Sequence, residues 1–116
     1  MTMQKMSLLL ENSEQLATHL SQLLGDKKAE NITILDVRKK ATFCDFLVIA
    51  SANVGRQMAA MADHLTRFLK DNNLPSSVEG LDGGEWVLID GGDVVVHIFR
   101  PDVREYYQLE KMWSGS

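Results

Sequence analysis

The stretch GGEWVLIDGGDVVVHIFR, residues 83–100, decides the fold. Two runs rich in β-branched residues flank a pair of glycines, and this pattern predicts a β-hairpin. We expect a two-residue turn at Gly91 and Gly92, because glycine tolerates the positive φ angles that such turns need. That turn predicts how the two strands pair, with Trp86 opposite His97.

Side chains alternate between the two sides of a hairpin, so the sequence separates two surfaces of different chemistry. One surface is wholly aliphatic and is expected to pack under a helix. This aliphatic face consists of Val87, Ile89, Val94, Val96 and Ile98. The other surface is apolar but carries groups that form hydrogen bonds. This aromatic face consists of Trp86, Leu88, Val95, His97 and Phe99, with Asp90 opposite Asp93 at the turn.

Three interpretations of the aromatic face stay open from the residues alone. A helix of the same chain could cover it, a partner could dock on it, or it could form part of a catalytic pocket. Trp86 favours docking, because tryptophan is enriched among binding hot spots. His97 favours a structural role, because a general base needs a nucleophile or a carboxylate partner that spacing alone does not supply.

The first half of the chain predicts a helix followed by two strands. Leucines at helical spacing predict a helix over residues 4–26. The segment NITILDV, residues 31–37, alternates apolar and polar residues as a strand does. CDFLVIAS, residues 44–51, is almost continuously apolar, which predicts a central strand that is buried on both faces.

The pattern then returns to helical spacing before the hairpin. An apolar stripe predicts a second helix, with Ser51 or Asn53 as its N-cap and an end near residues 72–75. A short strand is expected over residues 77–79. RPDVREYYQLEKMW, residues 100–113, predicts one closing helix, with proline in its first turn. The expected order is therefore α-β-β-α-β-β-β-α.

Composition and order together predict one soluble α/β (α+β) domain over residues 1–116, with a single mixed sheet and helices packed on it. Twelve Lys and Arg residues against sixteen Asp and Glu residues give a net charge of −4. That charge favours a basic protein partner over direct recognition of nucleic acid. No apolar run reaches the ~20 residues that span a bilayer, and no secretory signal is recognisable, so we expect a cytoplasmic protein.

The sequence offers no positive support for catalysis, and no cofactor or metal is expected. The single cysteine, Cys44, lies in an apolar run and is expected to be a buried small hydrophobic residue. A nucleotidyltransferase would place a second metal-binding carboxylate two residues after Asp93, where this chain has Val95. A nucleotidyl or phosphoryl transferase using Asp90, Asp93 and His97 is kept as the alternative.

Four blocks of the sequence resemble the Iojap-like ribosomal silencing factors, in the order found in that family: CDFLVIASANVGRQ, VEG, EWVLIDGGDVVVHIF and REYYQLEKMW. The resemblance covers roughly residues 31–113. It implies a fold similar to nucleotidyltransferases without their catalytic carboxylates. It also implies a repressor of translation that binds a basic protein of the large ribosomal subunit, blocks subunit joining, is linked to large-subunit maturation and forms a homodimer when free.

The resemblance also implies which residues touch the partner. Trp86 matches the tryptophan at the ribosomal-protein contact, and Arg104 and Tyr107 match signature positions of the closing helix. Asp82 and Glu85 are added on the ground of charge, because acidic residues beside an apolar contact suit a basic partner. The candidate partner-binding residues are Trp86, Glu85, Asp82, Asp90, Arg104 and Tyr107.

Overall fold

The computed structural model describes residues 12–114. Within them the elements follow the order α-β-β-α-β-β-β-α-α, which is the predicted order with the closing helix divided in two. Their bounds are α1 (Ser13–Asp26), β1 (Glu30–Asp36), β2 (Phe46–Ser51), α2 (Gly55–Asp71), β3 (Ser77–Glu79), β4 (Trp86–Asp90), β5 (Val94–Phe99), α3 (Pro101–Tyr107) and α4 (Leu109–Ser114).

The strands form one mixed sheet, as predicted, in the order β1-β2-β5-β4-β3. β2 and β5 run parallel, while the other neighbouring pairs are antiparallel. Every residue of β2 and of β5 is buried, which confirms the central position predicted for β2. None of the helices within residues 12–114 has the length and apolar character to cross a membrane.

The boundaries of several elements differ from the prediction. β1 begins and ends one residue earlier than expected, and β2 begins at Phe46 rather than at residue 44. Cys44 therefore precedes the strand, but its predicted burial is confirmed at 5% exposure. Asn12 caps α1 by accepting from the N–H groups of Glu14 and Gln15. The first part of the predicted helix, residues 4–11, lies outside the described residues.

The predicted N-cap of α2 was wrong. The helix follows Val54, which makes no side-chain cap hydrogen bond. Ser51 is instead a buried residue of β2, and the Asn53 amide donates to Glu30. The Gln57 side chain reaches back past the N-cap and accepts from the Asn53 N–H at 3.0 Å, which ties the preceding loop to the first turn of α2.

The core lies between the sheet and the pair of helices α1 and α2, as the aliphatic face predicted. All five residues of the aliphatic face are at most 1% exposed and belong to this core. Burial of each such side chain contributes about 1.5–3 kcal/mol to stability relative to exposure. The facing apolar stripe of α2 includes Met58, Met61, Leu65 and Leu69.

The hairpin turn lies one residue further along the chain than predicted. The Gly91 N–H donates to the Val94 carbonyl at 3.0 Å, so Gly92 and Asp93 form the tip. Gly92 takes the positive φ of 87° that the turn needs. Gly91 has no positive φ, but a Cβ at this position would lie 3.1 Å from the Val94 carbonyl oxygen, which is a tight contact, and 3.5 Å from the Leu69 side chain of α2.

The new turn position shifts the predicted strand pairing by two residues. Trp86 lies opposite Phe99 rather than His97, and Asp90 lies opposite Val95. A shift of two residues leaves each side chain on the same side of the sheet, since the strand repeat is two. The predicted pairs were therefore wrong, while the predicted composition of both faces is confirmed.

The closing segment is not one helix, as the sequence predicted. Gln108 adopts a left-handed conformation, with φ 50° and ψ 46°, and it separates α3 from α4. The two short helices lie on the side of the sheet opposite α1 and α2, because Tyr107 and Trp113 contact residues of the aromatic face.

Candidate partner-binding surface

Trp86 begins β4 and is partly exposed on the aromatic face. Its ring lies 4.7 Å from the ring of Phe99, which is fully buried. On another side it lies 5.0 Å from the ring of Tyr107, the last residue of α3. The indole is therefore held between the sheet and the first closing helix, with part of its surface open to solvent.

The indole also forms a hydrogen bond within the sheet. Its Nε1 donates to Nδ1 of His97 at 3.0 Å. The two residues are diagonal neighbours on one face, a separation that an aromatic side chain can cross. His97 is 7% exposed, and burial lowers its pKa from 6.5 to about 4. The imidazole is therefore neutral near pH 7, with Nδ1 as acceptor and the proton on Nε2.

The two ends of the aromatic face have different surroundings. Towards the turn, Val95 packs in a small second core with Val37 and Cys44, against which Trp113 of α4 lies. Towards the start of β4, a shallow groove of about 260 Å³ remains open, lined by Glu79, Gly80, Trp86 and Leu88. One part of the face is thus covered by the chain itself, and the other part is accessible.

The acidic candidates lie at the two ends of β4. Asp82 and Glu85 are exposed in the loop that precedes Trp86, and Glu85 lies 4.0 Å from the Arg100 guanidinium. Asp90 is exposed at the far end of β4, and its carboxylate accepts from the Gly92 N–H at 2.9 Å. Together with Glu79, which lines the groove, these exposed carboxylates form an acidic rim at the two ends of the aromatic face.

Two candidates from the closing helix differ in exposure. Tyr107 is 51% exposed and contacts Trp86, so it belongs to the same surface. Arg104 has a side chain only 11% exposed and donates to Glu110, Ser51 and Thr33. Its guanidinium faces the sheet and joins α3 and α4 to β1 and β2.

Three further apolar side chains on the closing helices and the loop before β2 are exposed, and they were not predicted as candidates. Tyr106 is 80% exposed and packs edge-on against Tyr107. Met112 is 67% exposed on α4, and Phe43, 59% exposed, packs edge-on against Trp113. The two adjacent tyrosines were visible in the sequence, but their exposure was not predictable because the helix ends after Tyr107 with no glycine or proline to mark the break.

Two residues of the transferase alternative are engaged in contacts within the hairpin. His97 is buried with Nδ1 engaged by Trp86, while Asp90 caps its own turn. Within residues 12–114 no three His, Cys, Asp or Glu side chains are placed to hold a metal ion. Burial, together with nearby carboxylates, raises the pKa of the Cys44 thiol to about 11, so it is protonated and a poor nucleophile near pH 7.

A second and larger groove, of about 520 Å³, lies on the other side of the sheet beside the end of α2. It is lined by Thr66, Arg67, Lys70, Asn73, Leu74, Pro75 and Ser76. None of the candidate residues borders it. A further groove of about 510 Å³ includes one of them, Arg104, in its lining. The groove that Trp86 lines is kept as the candidate site because Trp86 is the main predicted contact.

Comparison with known proteins identifies the family. The family model described as ribosomal silencing factor during starvation matches residues 10–116. Ribosomal silencing factors of Zymomonas mobilis and Bacillus subtilis are each 40% identical to this chain, over 87% and 78% of its length and 77% and 78% of their own. The mouse protein named mitochondrial assembly of ribosomal large subunit protein 1 is 32% identical over 82% of this chain and 43% of its own length.

The structural comparison agrees. A crystal structure of a Chromobacterium violaceum protein superimposes with a TM-score of 0.81 and 36% identity, covering 88% of this chain and 87% of that one. A Bacillus halodurans structure gives a TM-score of 0.75 and 38% identity, over 88% of this chain and 95% of that one. The chain therefore belongs to the family of ribosomal silencing factors.

Proposed function

We propose that this protein binds a basic protein of the large ribosomal subunit through the accessible part of its aromatic face. The bound protein then occupies the side of the large subunit that meets the small subunit, so the two cannot join and translation is repressed. The observation that carries the proposal is Trp86, a partly exposed indole that is fixed in place and bordered by carboxylates.

The chemistry of the surface suits a basic protein partner. A tryptophan in a shallow groove supplies a large apolar contact, and such residues supply most of the binding energy in many interfaces. The exposed carboxylates of Asp82, Glu85 and Asp90 would attract Lys and Arg side chains and speed the encounter. Because steric exclusion needs no bond making, the proposed function needs no cofactor and no catalytic residue.

The same surface is proposed to form a homodimer when no ribosome is bound. Tyr106 and Tyr107 are exposed beside Trp86, and a free protein in water gains stability by covering such a patch. A dimer of this kind would compete with ribosome binding, since both use the same residues. Dilution would then favour the form that is competent to bind.

A role in large-subunit maturation is a second proposal. Its support is the mouse relative, whose name refers to assembly of the mitochondrial large subunit. An inhibitor of joining that binds before the subunit is complete would serve both roles with one surface. We expect depletion of the protein to leave immature large-subunit particles if this role is exercised.

The binding test compares the wild type with Trp86→Ala in co-sedimentation with purified large subunits, with small subunits as the negative control. We expect the substitution to weaken binding by at least ~2 kcal/mol, the usual hot-spot threshold. Arg67→Ala is the matched control, because Arg67 is exposed on α2, on the other side of the sheet. Equal binding of Trp86→Ala and the wild type would refute the assignment.

A further inference from the structure

We propose that His97 is a positioning residue for Trp86, and that the partner receives the indole in an apolar pocket that contributes no hydrogen-bond acceptor. This inference rests on the proposed function for the partner, but its first half concerns the free protein alone. His97 fixes the direction of the ring and takes up its N–H. Trp86 therefore offers the partner only carbon surface.

The hydrogen-bonding capacity of Trp86 is fully used by His97. An indole has one donor, Nε1–H, and no acceptor. In this structure that donor is engaged by His97 Nδ1 at 3.0 Å. Because His97 is only 7% exposed and lies within the sheet, the acceptor is supplied by a fixed strand rather than by mobile solvent. An acceptor on the partner would have to displace this bond to reach the indole.

Packing against two other aromatic rings also holds the indole. Phe99 contacts it from the sheet and Tyr107 from α3, at centroid separations of 4.7 and 5.0 Å. With the hydrogen bond, the indole is restrained from three directions before any partner arrives. Ordering a free side chain at an interface costs conformational entropy, so a restrained indole binds without that cost.

The position of His97 distinguishes a positioning role from a purely structural one. The main core lies on the aliphatic face, and its helices α1 and α2 pack on the side away from His97. His97 makes ring contacts with Trp86 and Phe99, which a phenylalanine ring would largely retain. Replacing the imidazole with a benzene ring therefore removes the acceptor while keeping most of the packing.

The first measurement uses free protein labelled with ¹⁵N. We expect a scalar coupling between the Trp86 Nε1 and His97 Nδ1 nuclei. Because no short chain of covalent bonds joins these nitrogens, only a hydrogen bond between them can transmit the coupling. Trp113, the other tryptophan of the chain, supplies the reference indole resonance. The coupling should disappear in His97→Phe. A wild-type protein without the coupling would overturn the first half of the proposal.

The second measurement is binding to large subunits. His97→Phe leaves the indole N–H without an acceptor when the apolar pocket closes on it, so we expect about tenfold weaker binding. His97→Gln, whose side-chain oxygen can accept, should restore part of the affinity. The double variant Trp86→Phe/His97→Phe, which has no N–H to satisfy, should bind more tightly than His97→Phe alone.

The outcomes distinguish the two proposals. If His97→Phe binds like the wild type while Trp86→Ala does not, the partner supplies its own acceptor and the positioning proposal is wrong, although the proposed function survives. If Trp86→Ala also binds like the wild type, both the proposed function and the apolar-pocket claim fail. Circular dichroism and thermal unfolding of each variant confirm that it is folded before binding is compared.

Discussion

The Arg104 guanidinium donates to the Glu110 carboxylate at 2.6 Å, across the left-handed break at Gln108. The same guanidinium donates to the hydroxyls of Ser51 at 2.8 Å and Thr33 at 3.3 Å. One side chain therefore ties the two short closing helices to the first two strands. Since α3 carries Tyr107, which contacts Trp86, this tie also supports the proposed binding surface.

Removal of this tie should destabilise the domain. We expect Arg104→Met to lower the free energy of unfolding by about 2–4 kcal/mol, because the partly buried Glu110 carboxylate and two hydroxyl groups lose their hydrogen-bond donor. Arg67→Met removes an i,i+4 pair with Asp63 whose side chains are 76% and 61% exposed, and should cost less than ~0.5 kcal/mol. Urea denaturation measures both. Similar losses for the two variants would contradict the structural role of Arg104.

A glycine beside Trp86 gives a second stability test. Gly80 has φ 93°, and a Cβ on it would overlap the carbonyl oxygen of Trp86. Gly92 has a similar φ of 87° but open space around it. Gly92→Ala should therefore cost only the conformational strain, about 1 kcal/mol. Gly80→Ala should cost clearly more and should also perturb Trp86 fluorescence, and equal costs would show that the overlap is absent.

The buried imidazole predicts a dependence of stability on pH. Burial lowers the His97 pKa from 6.5 to about 4, so between these values the unfolded chain binds more protons than the folded one. The stabilisation is complete above pH 6.5 and is lost as the pH falls to about 4. The total is on the order of 3 kcal/mol.

The matched variant for this prediction is His97→Phe, which cannot titrate. The unfolding free energy of the wild type minus that of this variant should fall as the pH falls from 6.5 to 4. Arg38 lowers the pKa of Asp36 to about 2, so the contribution of that carboxylate to stability changes below pH 4, and it does so equally in both proteins. A constant difference would show that His97 is not buried as described.

The acidic rim predicts an effect of salt on association. The on-rate for large subunits should fall as ionic strength rises, because salt screens exposed charges. The double variant Asp82→Asn/Asp90→Asn should associate more slowly and show a weaker salt dependence, and asparagine at position 90 retains an acceptor for Gly92. Asp71→Asn, exposed at the end of α2 on the other side of the sheet, is the control. Stopped-flow mixing would detect a salt-independent on-rate, which would argue against steering.

Much of the fold followed from periodicity, because a repeat of two or 3.6 is a property of neighbouring residues. The composition of the hairpin faces was correct even though the pairing was shifted, since a shift of two residues preserves the faces. The position of the turn was not predictable. Gly91 and Gly92 look alike in the sequence, and only the backbone distinguishes them, because Gly91 pairs with Val94 whereas Gly92 takes the positive φ.

Other features depend on contacts between distant parts of the chain. The break at Gln108 has no local signal, and it is accompanied by the Arg104 bonds to Ser51 and Thr33, 53 and 71 residues away. The sequence placed Trp86 and His97 on one face but paired them wrongly, and the diagonal hydrogen bond appears only in the structure. The roles of the candidate residues on the ribosome stay predictions.

The central claim is that the Trp86 surface prevents the two subunits from joining. The most direct measurement is light scattering of purified small and large subunits mixed after the large subunit has been incubated with excess protein. We predict that the wild type and Arg67→Ala slow or abolish the formation of the joined ribosome, whereas Trp86→Ala leaves it close to the rate without added protein. Normal joining in the presence of saturating bound wild type, or full inhibition by Trp86→Ala, would contradict the account.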